Sequence, residues 1–116
     1  MIIVKSTPEF ELETLPQTPD KKLMAAMADF HDELSKAGVL LDASGLQPSR
    51  KGWRIHYEAG GKSTVIDGPF ANSRELIVGF TTIQVRSREE AMEWSRRYPN
   101  LVGEGQPAVI EVRQLY

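Results

Sequence analysis

Two side chains combine a type suited to proton transfer with a setting that could use it: Asp67 and His31. Asp67 opens the tetrapeptide Asp67-Gly68-Pro69-Phe70, in which glycine and proline set the chain direction just past a strand-like run. A carboxylate there can be held toward a pocket. The same turn has a second reading, with the carboxylate capping its own amides and Phe70 plugging the core. His31 follows Phe30 on a helical pattern whose buried stripe is centred on Phe30 and Leu34. At about 100° per residue it falls roughly 80° from the stripe centre, at the border between core and solvent. Imidazole is the natural general acid or base near neutral pH, and Asp67 within reach would orient the ring. Surface and hydrogen-bonding roles for His31 stand beside the catalytic one.

Pro69, Phe70 and Trp53 are the candidate walls of a ligand site. Trp53 opens a strand after Lys51-Gly52 and suits either a cavity mouth or a dimer contact. His56 shares a hairpin with Arg54, where a solvated face is the default. The two histidines form no HxH, HExxH or calcium-loop pattern, so no metal is expected. Gly103-Glu104-Gly105 is too short for a dinucleotide fingerprint, and no cofactor is expected. Ser49, Ser73 and Thr81 lack the context of a nucleophile elbow. With no cysteine, thiolate catalysis, disulfides and iron-sulfur chemistry are excluded.

The elements that must position these residues follow from local pattern. Ile2-Ile3-Val4 reads as a central strand, and the polar stretch from Ser6 to Thr18, with Pro8 and Pro16, as a loop. Thr18-Pro19 starts a helix as N-cap and first-turn proline, with Leu23, Met27, Phe30, Leu34 and Ala37 as its stripe and Gly38 as its stop. A second strand begins at Val39. Runs 53–58 and 62–66 flank Ala59-Gly60-Gly61 and read as an antiparallel hairpin. Residues 76–85 form a long strand in which Gly79 marks a bulge or a close backbone approach. Ser87-Arg88-Glu89-Glu90 has capping-box spacing, and Ala91, Trp94, Ser95 and Tyr98 form the inner stripe of a second helix ended by Pro99. Residues 109–115 supply the last strand. Strand, helix, several strands, helix, strand indicates an α+β fold, an antiparallel sheet with both helices on one face.

At 116 residues the chain suits a single domain spanning 1–116, and 41% hydrophobic with 26% charged residues is the balance of a globular one. The net charge of −2, without a basic cluster, argues against nucleic acid as a partner. No apolar run approaches the roughly 20 residues that span a bilayer, and Lys5 interrupts the N-terminal run too early for a signal-peptide core, so no membrane association and a cytoplasmic location are expected.

The blocks Lys36-Ala37-Gly38-Val39-Leu40-Leu41, Gly45-Leu46-Gln47-Pro48-Ser49, Asp67-Gly68-Pro69-Phe70, Glu75 to Phe80, Ser87 to Trp94 and Ile110 to Gln114, in this order, resemble the YCII-related family, in its branch named for the Asp-Gly-Pro-Phe (DGPF) signature. The resemblance implies a ferredoxin-like fold paired as a dimeric α/β-barrel, a homodimer whose sheets face one another across a shared small-molecule cavity. It further implies a bacterial source, and a setting beside extracytoplasmic-function sigma factors. A histidine and an aspartate serve as the proposed acid/base pair of relatives, which maps onto His31 and Asp67. Thr81 and Thr82 stand where relatives are more aromatic, so Thr81 would make the ligand site either smaller in its aromatic wall or more polar. Two functions are thereby expected: acid/base chemistry on an unknown small molecule by Asp67 with His31, or a non-catalytic ligand-binding or regulatory module linked to a sigma-factor pathway.

Overall fold

The computed structural model describes residues 1–11, 21–103 and 105–116. Its elements run β1 (Ile2–Lys5), α1 (Pro8–Glu11), α2 (Lys21–Lys36), β2 (Leu40–Gly45), β3 (Trp53–Tyr57), β4 (Ser63–Asp67), β5 (Ile77–Ile83), α3 (Arg88–Arg96) and β6 (Ile110–Val112), with one-turn 3-10 helices at Ser49–Lys51 and Ser73–Glu75. The expected helix start at Thr18-Pro19 lies outside the described residues. Part of the expected N-terminal loop is instead helical, because Thr7-Pro8 carries the same signature. The Thr7 hydroxyl accepts from Phe10 N at 3.4 Å, and the proline occupies the first helical position, where no amide is needed.

Four strands form one sheet in the order β2-β5-β1-β6, with every neighbouring pair antiparallel. β1 and β2 flank β5, β5 and β6 flank β1, and each flanking pair is joined through helix, so the two crossovers interleave into an α+β fold. Ile2 and Val4 on β1 are 0% and 5% exposed, opposite Thr81 and Gly79 on β5. Thr81 touches α2 through His31, which identifies this as the face the helices cover. Phe30 on α2 packs edge-on against Trp94 and Tyr98, with ring centroids 6.3 and 5.2 Å away, and thereby draws α3 onto the same face. Arg97 completes that junction, pairing with Glu33 and lying 4.6 Å above the Trp94 ring.

Local signals account for the ends of these elements. Gly38, at φ +74°, ends α2 as Val39 N donates to Leu34 O and Gly38 N to Ser35 O, both at 3.0 Å, the two bonds of a Schellman closure. Ser87 Oγ accepts from Glu90 N at 3.1 Å, while the Glu90 carboxylate reaches one residue further back than the capping box requires, to Arg86 N at 3.0 Å. Gly79 fulfils both roles its position suggests. The β1/β5 register shifts beside it, and a Cβ there would stand 2.9 Å from Ser44 O on β2.

One feature departs from a single-sheet reading. β3 and β4 pair only with each other, forming a separate two-stranded sheet in the register Trp53↔Asp67, Ile55↔Val65 and Tyr57↔Ser63. Alternation fixed the hairpin but carried no information about what its outer edges pair with. Trp53, Ile55, Tyr57 and Val65 share one hairpin face and all remain exposed, Tyr57 at 85%.

Candidate functional site

The structure distributes the candidate residues between two places. The first lies under the main sheet. His31, half-buried on α2, meets the Thr81 hydroxyl with Nε2 at 3.1 Å, and the same hydroxyl stands 3.4 Å from the Tyr98 phenol. Thr81 is wholly buried, so its hydroxyl has only these protein groups to satisfy it. Because a hydroxyl both donates and accepts, this three-membered chain closes with either imidazole tautomer. Burial pushes the Tyr98 phenol above its ordinary pKa, partly opposed by the bond from Thr81. The Phe30 ring, its centroid 6.0 Å from that of His31, forms the apolar floor beside the imidazole.

The second place is the signature turn. Asp67 ends β4 opposite Trp53, exposed, and among the described residues no hydrogen bond or ion pair engages its carboxylate or links it to His31. The turn after it is braced from elsewhere. Gly68 N donates to Gly52 O at 3.0 Å, and Phe70 N donates to Ser49 Oγ at 3.1 Å. Ser49 Oγ in turn donates to the Glu11 carboxylate, and Ser49 N lies 3.2 and 3.3 Å from the two Glu11 oxygens. The guanidinium of Arg54 stacks 3.9 Å above the Phe70 ring, and Pro69 follows a cis peptide bond from Gly68. Glycine is obligatory at position 68 for a steric reason. A Cβ there would fall 1.8 Å from the Ser49 carbonyl oxygen.

The bracing that the second reading of the turn assigned to the Asp67 carboxylate is therefore performed by the Ser49 hydroxyl. Sequence reasoning set Ser49 aside once it failed as a nucleophile, and Glu11 drew no notice. The two are 38 residues apart with no periodic relation, so only the folded chain reveals their contact.

Two surface cavities are prominent, one of about 380 Å³ beside Gly38, Gln84 and Glu90, the other of about 950 Å³ between the end of β5, α3 and the segment after β6. None of His31, Trp53, Asp67, Pro69, Phe70 or Thr81 lines either one. Among the described residues no group of three or more His, Asp or Glu side chains converges as a metal site would require, and no helix is long and apolar enough to cross a membrane.

A two-layer antiparallel α+β domain with a braced Asp-Gly-Pro-Phe turn is the class that fold and site define. The chain belongs to the YCII-related domain family, whose model matches residues 1–115. It is also similar to an uncharacterised protein of Rhizobium meliloti (strain 1021), 30% identical over 81 residues. That match covers 70% of this chain and 64% of the relative, so this chain spans less than two thirds of that protein's length.

Proposed function

We propose that this protein binds a small molecule at His31 and performs acid/base chemistry on it, within a ferredoxin-like fold paired as a dimeric α/β-barrel. The observation that carries the reading is the anchoring of the imidazole. Thr81 holds Nε2 at 3.1 Å, and among the described residues Nδ1 has no hydrogen-bond partner, which leaves one ring nitrogen for a ligand proton. The Asp67 carboxylate, likewise unengaged but on the separate hairpin, is assigned to the same molecule rather than to the imidazole, so the ligand has to extend from His31 to the turn, with Pro69, Phe70 and Trp53 as walls there. The homodimer is supported by the exposed apolar face of the hairpin, since a second copy covering Trp53, Ile55, Tyr57 and Val65 would remove from water the kind of patch that monomers seldom display.

A non-catalytic binding module in a regulatory pathway is the second reading. It is favoured by the Ser49-centred bracing, which gives the signature turn a structural purpose without any reaction. A thermal-shift screen of small organic acids and carbonyl compounds, with hits mapped by 15N NMR, tests the site. The proposal expects hits that perturb His31 and the 67–70 turn and that weaken in His31→Asn and Asp67→Asn. Hits that map elsewhere, or that bind both variants like the wild type, would sink it. Hits that bind at His31 without being turned over would favour the second reading.

A further inference from the structure

The larger groove is independent of the His31 site and has the composition of a ligand site of its own. The charged side chains that line it are Arg86, Arg88 and Arg113, none of the lining side chains is acidic, and the Met1 ammonium, which donates to Arg113 O, lines it as well. Arg113 shares an exposed pair with Glu111 at 3.4 Å, whereas Arg86 and Arg88 have no ion-pair partner among the described residues. Its apolar lining gathers Leu41, Met92, Val112, Leu115 and Tyr116, five of the thirteen large hydrophobic side chains left exposed among the described residues. On α3, Arg88, Ala91, Met92 and Ser95 recur at helical spacing, so one helix face carries both the cation and the apolar wall.

Thr82 adds a polar group to this lining. Thr82 lines it, is only 8% exposed, and its hydroxyl has no hydrogen-bond partner among the described residues. Every fully enclosed side-chain polar atom among the described residues is satisfied, so this hydroxyl keeps some solvent access and can give or accept a hydrogen bond from outside the protein. At about 950 Å³ the space is at the upper end of the range that small-molecule sites occupy.

We propose that this groove binds an amphipathic organic anion, an acid with an extended apolar body. Its carboxylate is held by Arg86 and Arg88 with the Thr82 hydroxyl, and its hydrocarbon lies against Met92, Val112 and Leu115. Arginine suits the role because its planar fork pairs with a carboxylate in two parallel bonds.

The test is a 15N NMR titration of the full chain with sodium octanoate, and in parallel with octan-1-ol, which keeps the apolar body and lacks the charge. Octanoate is expected to shift the amides of Thr82, Arg86, Arg88, Met92 and Leu115 and to bind more tightly than the alcohol. Arg86→Gln with Arg88→Gln should weaken octanoate by about tenfold, the equivalent of one good charge-assisted contact. Thr82→Val, which keeps the side-chain shape, should weaken it by about threefold on the scale of a single neutral hydrogen bond. The same substitutions should leave octan-1-ol within about twofold on that scale. Shifts confined to the β3–β4 hairpin, equal affinity for acid and alcohol, or undiminished octanoate binding in the double-arginine variant would each overturn the proposal.

Discussion

Gly68→Ala is the most demanding test of how the signature turn is built. The added methyl would stand 1.8 Å from the carbonyl oxygen of Ser49, 2.6 Å from its carbonyl carbon and 3.1 Å from Arg50 N. All three are backbone atoms, so no side chain can swing aside, and the turn must separate from the 49–51 helix. Overpacking of this kind costs about 1–3 kcal/mol. Separation also strains the bonds from Gly68 N to Gly52 O and from Phe70 N to Ser49 Oγ, each worth about 1 kcal/mol net. The expected total is about 3 kcal/mol, a large share of the 5–15 kcal/mol typical of a domain and roughly 12 °C in melting temperature at this chain length. Urea denaturation followed by circular dichroism measures it. Gly52→Ala is the control, because its Cβ would meet Ser49 O at an ordinary 3.7 Å and should cost no more than about 1 kcal/mol. If Gly68→Ala proves no more destabilising than Gly52→Ala, the close approach does not explain the glycine and the reasoning fails.

Three further outcomes follow from the same contacts. Thr81→Val should cost about 1–3 kcal/mol, because it leaves His31 Nε2 and the Tyr98 hydroxyl without their shared partner, and a double-mutant cycle with Tyr98→Phe should show non-additivity. Additive losses in that cycle would mean that the three-residue chain is not a unit. Since burial raises the folded-state pKa of Tyr98 above its unfolded value, its neutral phenol contributes stability that is full below the unfolded pKa and is lost as pH rises through the folded one. Tyr98→Phe should therefore flatten the alkaline decline in stability, and an unchanged decline would contradict this. Ser87→Ala should cost about 1 kcal/mol by removing the acceptor for Glu90 N, read by thermal denaturation against Ser73→Ala, which caps no α-helix.

Much of the architecture was legible because it rests on short-range chemistry. Gly38, the Ser87 cap, the Gly60-Gly61 turn and the Phe30/Leu34 stripe each depend on residues a few positions apart, and each formed where its pattern indicated. The α1 helix was missed although Thr7-Pro8 repeats the logic applied at Thr18-Pro19, since a single turn offers no periodicity to read. The candidate residues were legible by type but not by neighbourhood. Asp67 and His31 each have the right chemistry, yet nothing in their separation along the chain says that one sits on a free-standing hairpin and the other beneath the main sheet.

Alone, then, the order of residues determined which segments are helix and strand, that the sheet is antiparallel, and that the Asp-Gly-Pro-Phe turn would matter. Propensity, capping and periodicity act over one or two turns and are written in neighbouring letters. Tertiary structure decided what that turn is for. The carbonyl of Ser49 demands glycine at 68, the Ser49 hydroxyl joins Phe70 to Glu11, and Arg54 covers the Phe70 ring. It also decided that Thr81 ties His31 to Tyr98 and that Arg86, Arg88 and Thr82 converge on one groove. These contacts join residues 16 to 50 positions apart or bring together separate elements, and the balance of packing that places them belongs to the whole chain rather than to any stretch of it.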